Sequence, residues 1–167
     1  MVFSVLAFLS LFISFCIRDR KKSLCVQSLN CLFEAIYDFI IEAYTGAVLG
    51  IVTMIRSIIF INKSKFSKTL YLIFLIIFQC AILVFCYFSW AGWISLLPTI
   101  ASLIRTHCLW QTKMKWVRLS GIAAAILFGA YYVYYRSWFM VLGYILLFII
   151  CIIEILKNDV KKDNEAK

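Results

Sequence analysis

An apolar stretch over residues 27–42 carries four polar side chains at regular spacing, and this pattern constrains the fold more than any other feature. The four residues are Asn30, Glu34, Asp38 and Glu42. Because a step of four residues returns to nearly the same side of an α-helix, they form one polar stripe along an apolar helix. Ionisable groups at membrane depth face a bundle interior or a watery cavity, so we expect other helices to cover the stripe.

The composition is that of an integral membrane protein. Of the 167 residues, 65% are hydrophobic and only 15% are charged, whereas a soluble domain carries about 25% charged residues. A helix needs about 20 residues to cross a bilayer, so the length allows about seven crossings. The net charge of +9 arises from short basic runs between apolar segments. Such runs indicate contact with anionic lipid headgroups and not with nucleic acid.

The hydropathy pattern predicts an all-α membrane protein with about seven transmembrane helices. They form one domain over residues 1–156, followed by a charged cytoplasmic tail over residues 157–167. The predicted helices cover residues 2–17, 23–42, 44–61, 69–88, 94–110, 116–135 and 138–156. Basic residues concentrate in alternate loops and in the tail. By the positive-inside rule, this alternation places the N-terminus outside and the C-terminus in the cytoplasm.

A faint internal repeat accompanies these helices. A shift of 93 residues aligns Val48-Leu49-Gly50 with Val141-Leu142-Gly143 and lays helices two and three on helices six and seven. Both halves then have the same membrane orientation, with the fourth helix between them. The sequence therefore predicts two parallel three-helix repeats joined by a linker helix, an arrangement known among transporters.

Two stretches resemble the YgjV-type bacterial inner-membrane proteins. One is Tyr44-Thr45-Gly46-Ala47 together with Arg56, and the other is Leu96-Leu97-Pro98-Thr99-Ile100 with the helices that follow it to Leu156. The resemblance implies a bacterial inner-membrane location and a compact helical bundle, and it carries no activity over to this chain.

A more distant likeness is to the PQ-loop and sugar-facilitator proteins, which have a Pro-Gln pair in the first helix of each three-helix bundle. Here Pro98 stands in the fifth predicted helix, but Thr99 follows it, and the first helix has no proline. The likeness is one of architecture, and architecture does not fix function.

Glu34 and Asp38 are the residues best placed for chemistry at membrane depth. Counted at about 1.5 Å per residue from Ser23, they lie about 16 Å and about 22 Å along the helix. Such short side chains do not reach either surface of an apolar core about 30 Å thick. The functional interpretation is a proton-coupled or cation-binding path that includes Asn30. The structural interpretation, a hydrogen-bonded contact between helices, stays open. Glu42 is expected to be solvated.

Basic groups supply further candidates for this path. Arg56 is near the level of Glu34, which suggests either an ion pair with Glu34 or a side chain that extends to the cytoplasmic headgroups. For Arg105, which has the same geometry, extension to the headgroups is the preferred interpretation. His107 stands near the inner interface, where a proton relay competes with an incidental position. Tyr37, Arg105 and His107 are secondary candidates.

Aromatic residues cluster at the end of the sixth predicted helix. They are Tyr131, Tyr132, Tyr134, Tyr135 and Trp138. Tyrosine and tryptophan are enriched at membrane interfaces, so the cluster is interpreted first as an interfacial belt. The alternative is the lining of a solute vestibule.

The sequence shows no catalytic constellation. No nucleophile stands with an evident base, and there is no glycine-rich phosphate loop, so we expect neither enzymatic activity nor a cofactor nor a metal. The seven cysteines form no Cys-x-x-Cys pair and are interpreted as apolar packing residues.

The leading interpretation is a small-solute or ion transporter, or a facilitator, of the bacterial inner membrane with a carboxylate-lined path. The expected partners are the lipid bilayer, anionic headgroups and an unidentified small polar solute or ion. Whether the protein forms a homo-oligomer is left open. The alternative is a non-transporting membrane scaffold or assembly partner whose polar stripe is structural.

Overall fold

The computed structural model describes residues 2–17, 19–62, 67–111 and 114–159. Within these ranges the chain forms seven α-helices and no strand, which confirms the predicted all-α class. The helices are α1 (Val2–Cys16), α2 (Arg20–Ile40), α3 (Tyr44–Ile61), α4 (Lys68–Phe88), α5 (Leu96–Trp110), α6 (Met114–Tyr134) and α7 (Trp138–Glu154). A 3₁₀ turn at Trp93–Ser95 precedes α5, and a π turn at Ile155–Asp159 follows α7.

Part of the charge pattern that predicts the orientation lies outside the described residues. These positions are 18, 63–66, 112–113 and 160–167, which include most of the predicted cytoplasmic tail. The orientation of the two termini and the charged tail therefore stay predictions.

Helix α2 starts at Arg20, three residues before the predicted start at position 23. Asp19 caps it, because the Asp19 side chain accepts hydrogen bonds from the backbone N–H of Lys21 at 2.8 Å and of Lys22 at 3.5 Å. An N-cap acceptor of this kind satisfies N–H groups that have no partner within the helix. The basic run after the first helix thus belongs in part to the first turn of α2.

Six of the helices form a closed ring. Consecutive pairs in the order α1, α2, α3, α5, α6, α7 pack against each other, and α7 packs back against α1. Helix α4 packs mainly on the outside of this ring, against α3 and α5. The ring encloses a central region that side chains from several helices reach, and it places α2 beside α1 and α3.

The turns after α2 and α6 have the same backbone geometry. Glu42 and Arg136 adopt left-handed conformations with φ of 60° and 54°. After each helix, the next backbone N–H returns to a carbonyl five residues earlier, from Ala43 to Asp38 at 2.8 Å and from Ser137 to Tyr132 at 3.0 Å. This is the Schellman C-cap. The shared cap agrees with similar hairpins in the two halves, and the three-helix repeat itself stays a prediction.

The bundle exposes large apolar side chains and buries polar groups beside an apolar core. Tyr87 and Phe88 are each 79% exposed, whereas Arg56 is fully buried. Among the described residues, four helices are long and apolar enough to cross a membrane: Tyr44–Ile61, Thr69–Phe88, Trp116–Tyr134 and Trp138–Lys157. Helices α1 and α5 have only 15 residues each, and α2 carries the polar stripe. Seven helices are confirmed in the described ranges, and the number of them that cross the membrane stays a prediction.

Candidate functional site

The polar stripe of α2 lies in the centre of the bundle. Asn30, Glu34 and Asp38 are 2%, 7% and 1% exposed, so the expectation that other helices cover the stripe is confirmed. Glu42, which follows the last residue of α2, is exposed as expected. Three turns of one helix therefore direct an amide and two carboxyl groups toward the same interior space.

Two tyrosines from α6 and α7 bind these carboxyl groups. The Tyr132 hydroxyl is 3.1 Å from Glu34 Oε1 and 2.8 Å from Asp38 Oδ1. The Tyr144 hydroxyl donates to Glu34 Oε1. On the other side, Asn30 Nδ2 donates to Glu34 Oε2 at 3.4 Å, and Ser10 Oγ from α1 donates to Asn30 Oδ1 at 3.3 Å. Helices α1, α2, α6 and α7 thus share one hydrogen-bond network.

The Tyr132 hydroxyl determines how many protons the network needs. A phenol has one hydrogen, so it can donate to Glu34 or to Asp38 but not to both. Both contacts are hydrogen bonds at the same time only when one of the two carboxyl groups carries a proton and donates it to Tyr132. Contact of both carboxyl groups with one phenol therefore fits a pair that holds a single proton.

Stacked rings hold the two tyrosines in place. Phe128, Tyr132 and Tyr144 lie with their planes within 24° of each other, and the Phe128 and Tyr144 ring centroids are 5.4 Å apart. Offset stacking of this kind fixes the direction of the hydroxyl groups.

The prediction of an interfacial aromatic belt is wrong for two of its members. Tyr131 and Tyr132 are completely buried, while Tyr134 and Trp138 are each 65% exposed. Tyr134 lies two positions beyond Tyr132, about 200° around α6, and so points away from the buried side, and Trp138 is the first residue of α7. Only the exposed members can meet lipid headgroups.

Arg56 lies in the interior and does not pair with Glu34. It is fully buried, and its Nη1 donates to Thr106 Oγ1 at 2.5 Å and to the Ser102 carbonyl at 3.5 Å, both on α5. Glu34 is not among its hydrogen-bond or ion-pair partners in the described part of the chain. Its Nε and Nη2 atoms have no hydrogen-bond partner there. Both sequence-based interpretations of Arg56, the ion pair and the extension to headgroups, are therefore wrong.

Arg105 is also held inside the bundle. The residue is 6% exposed. When the Gln27 side-chain amide is oriented with its oxygen toward Arg105, that oxygen accepts hydrogen bonds from Arg105 Nε at 2.9 Å and from Arg105 Nη2 at 2.7 Å. The predicted extension of Arg105 to the headgroups is wrong, because Gln27 supplies a buried acceptor. Gln27 lies three residues before Asn30, on the same face of α2, and this spacing was the signal that could have included it in the stripe.

The other two secondary candidates lie elsewhere. His107 is exposed. Tyr37 is half-buried, and its hydroxyl is 2.5 Å from Ser137 Oγ near the turn between α6 and α7. Neither residue lines the central cavity described next.

The charged groups surround a small cavity of about 20 Å³. Its lining includes the acidic pair Glu34 and Asp38, which we call the carboxylate end, and the pair Arg56 and Arg105, which we call the guanidinium end. Cys31, Thr53, Ser102 and Phe128 are among the residues between them. A polar cavity of this size holds about one or two water molecules. The site thus combines both signs of charge around a space that is large enough only for a very small species.

Comparison with known families agrees with the apolar exterior of the bundle. The family model Imp-YgjV, described as a bacterial inner membrane protein, matches residues 1–162. The chain belongs to the Imp-YgjV family. No curated protein and no solved structure matches it. The resemblance seen in the sequence is confirmed, and the chain is a bacterial inner membrane protein.

In this Imp-YgjV protein, polar contacts between helices flank the cavity on both sides. Beside the carboxylate end, the backbone N–H of Gly46 donates to the Tyr131 hydroxyl at 3.2 Å, and the hydroxyl groups of Thr45 and Ser95 are 3.1 Å apart. Beside the guanidinium end stands the contact between Gln27 and Arg105.

The carboxyl groups of this Imp-YgjV protein are engaged within the bundle. Glu34 Oε1, Glu34 Oε2 and Asp38 Oδ1 lie against hydroxyl and amide donors. In the described ranges, no three His, Cys, Asp or Glu side chains come together as a group that could hold a metal ion.

Proposed function

We propose that this inner membrane protein moves a small polar solute or ion across the membrane through the central cavity. The observation that carries the proposal is the cavity itself, which lies inside a ring of six helices and is lined by two carboxyl groups and two guanidinium groups. Ionisable groups in a membrane interior are costly and commonly mark solute or proton pathways.

The position of the polar contacts supports a carrier more than an open pore. Hydrogen-bonded side chains stand on both sides of the cavity, at Tyr131 and Gly46 on one side and at Gln27 and Arg105 on the other. A carrier exposes its site to one face of the membrane at a time. The two sets of contacts are the groups that would have to separate in turn.

The carboxyl pair supports coupling to protons. Glu34 and Asp38 share one proton through Tyr132 in the geometry described above. The same pair could release that proton when the cavity opens to water. Movement of a solute together with a proton would then use residues that already meet in the site.

One observation favours the alternative function of a membrane scaffold. Each carboxyl group of the stripe already has donors within the protein, and hydrogen bonds between membrane helices serve as structural contacts. In that case no water reaches the cavity, and neutral replacements of Glu34 lower stability without any effect on solute movement.

We propose that the N-terminus lies outside the cytoplasm and the C-terminus inside it. The alternation of basic loops supports this orientation through the positive-inside rule. The proposed partners are the bilayer and its anionic headgroups, which the basic loops would meet.

Uptake into proteoliposomes tests the proposal. A panel of small labelled solutes and ions is offered to vesicles that contain the wild type, Glu34→Gln or Glu42→Gln. Glutamine keeps an oxygen for the Tyr132 and Tyr144 hydroxyls but cannot carry a proton, so Glu34→Gln should fold and lose uptake. Glu42→Gln, at an exposed position, should keep the uptake activity of the wild type. Equal uptake by wild type and Glu34→Gln, or no protein-dependent uptake of any member of the panel, would count against transport.

A further inference from the structure

The guanidinium group of Arg56 has unused donor capacity that points to a ligand. Arginine carries five N–H donors. Nη1 binds Thr106 and Ser102, whereas Nε and Nη2 have no hydrogen-bond partner in the described part of the chain, although the residue is fully buried. Buried polar groups are nearly always partnered, because an unmet donor has lost its hydration without a replacement. Arg56 also lines the cavity, so the missing acceptor has a space in which to bind.

The geometry of the Arg56 Nε and Nη2 atoms determines which kind of acceptor fits them. Nε–H and one N–H of Nη2 lie parallel on one edge of the planar group, and this edge matches the two oxygens of a carboxylate. A spherical ion at the same edge has no two separate acceptor atoms to match the two parallel N–H groups.

The charge around Arg56 also favours an anion. Arg105 lies within electrostatic range of Arg56, and both line the cavity. Arg105 also acts on Glu34, whereas neither Glu34 nor Asp38 is among the groups that act on Arg56. Arg56 therefore has a positive neighbour that is itself shared with an acidic group, and this leaves its own charge available to an anion.

We infer that Arg56 is the anion-binding residue of the cavity and that its ligand is a small carboxylate, either free or as the carboxyl group of a small solute. This rests on the proposed function and names the chemistry of what is moved. The cavity of about 20 Å³ admits only the smallest members of this class without rearrangement. Formate is therefore the appropriate probe.

Thermal unfolding in detergent tests the inference without any transport assay. Formate replaces gluconate, a carboxylate too large for the cavity, at constant ionic strength and pH. For the wild type we expect the unfolding temperature to rise by about 3–5 °C at a formate concentration of about ten times Kd. Arg56→Gln should remove the rise. Arg118→Gln is the control, because Arg118 is also buried, with 7% exposed, but pairs with Glu154 at 3.0 Å and does not line the cavity, so this variant should keep the rise.

Several results would overturn the assignment. They are no response of the wild type to formate, an equal response in Arg56→Gln, and a response to chloride as large as that to formate. If Arg56→Gln does not fold, Arg56→Lys keeps the charge but loses the paired donors, and its formate midpoint should rise about tenfold. Formate binding without uptake would contradict the transport proposal alone, and uptake of another solute without formate binding would contradict this inference alone.

Discussion

The two ends of the central cavity differ in how their charged groups are satisfied. At the carboxylate end, Glu34 and Asp38 accept hydrogen bonds from Tyr132, Tyr144 and Asn30. At the guanidinium end, Arg56 uses Nη1 and leaves Nε and Nη2 without a partner among the described residues. The carboxyl groups thus have donors within the protein, whereas Arg56 lacks acceptors for two of its nitrogens in the same part of the chain. We propose that the first end holds the bundle together and stores a proton, and that the second end is where a ligand binds.

The largest effect is expected from Glu34→Leu at the carboxylate end. The substitution leaves the Tyr132 and Tyr144 hydroxyls and the Asn30 amide without their buried acceptor, and we expect a loss of about 3 kcal/mol in the free energy of unfolding. Thermal unfolding in detergent measures it, with the exposed Glu42→Leu as the control. If both variants lose the same stability, the carboxylate network does not stabilise the bundle.

A somewhat smaller effect is expected from Gly46→Ala, which changes the packing of Asp38 without removing its charge. A Cβ at Gly46 would collide with the Asp38 carboxyl group, and overpacking of this kind costs about 1–3 kcal/mol. Gly129→Ala is the matched control, because the nearest neighbour of its Cβ is the Tyr144 Cβ at 3.9 Å, an ordinary contact. The same unfolding assay should separate the two variants, and equal stability would show that α3 can move away from Asp38 at little cost.

Tyr132→Phe should have an intermediate effect. It keeps the stacked ring and removes the hydroxyl that joins Glu34 to Asp38, with an expected loss of about 1–2 kcal/mol. Tyr144→Phe removes a hydroxyl that binds only Glu34, so its loss should be smaller. Infrared difference spectra of the carboxyl region would report the shared proton directly. A spectrum that is the same in wild type and Tyr132→Phe would contradict the sharing of a proton through Tyr132.

The smallest effect is expected from Arg56→Leu in gluconate buffer. The substitution removes a buried charge whose Nε and Nη2 lack partners, and Thr106 keeps its hydrogen bond to the Ser102 carbonyl at 2.6 Å. Replacement of a buried ionic group by an apolar one is often neutral, so the change should stay within about 1 kcal/mol. A loss as large as that of Glu34→Leu would erase the difference between the two ends.

Sequence periodicity predicted the helices and the buried face of α2, but it did not predict the partners of that face. The spacing of Asn30, Glu34 and Asp38 shows that they share one side of a helix. The hydroxyl groups that bind them come from positions 98 and 110 residues beyond Glu34, and no local pattern encodes which helix packs there.

The interpretation of Arg56 failed for a related reason. Counting residues from a helix end gives the depth of a side chain in the membrane but not the direction in which it points around the helix. The similar depths of Arg56 and Glu34 made an ion pair between them one of the two interpretations, beside extension of Arg56 to the headgroups. In the structure, Arg56 instead points toward Thr106 on α5.

Access of water to the cavity is the measurement that tests the proposed transport most directly. Cys31 lines the cavity and is 3% exposed, and Cys151 on α7 is similarly buried, 1% exposed, and lies outside the cavity lining. Two variants, each with only one of these cysteines, are treated with a charged thiol reagent in native membranes. Because the cavity as described is too small for such a reagent, modification of Cys31 requires the opening that the carrier proposal includes, and we predict that Cys31 is modified and Cys151 is not. Protection of both cysteines in folded protein, or equal modification of both, would contradict an aqueous path through the cavity.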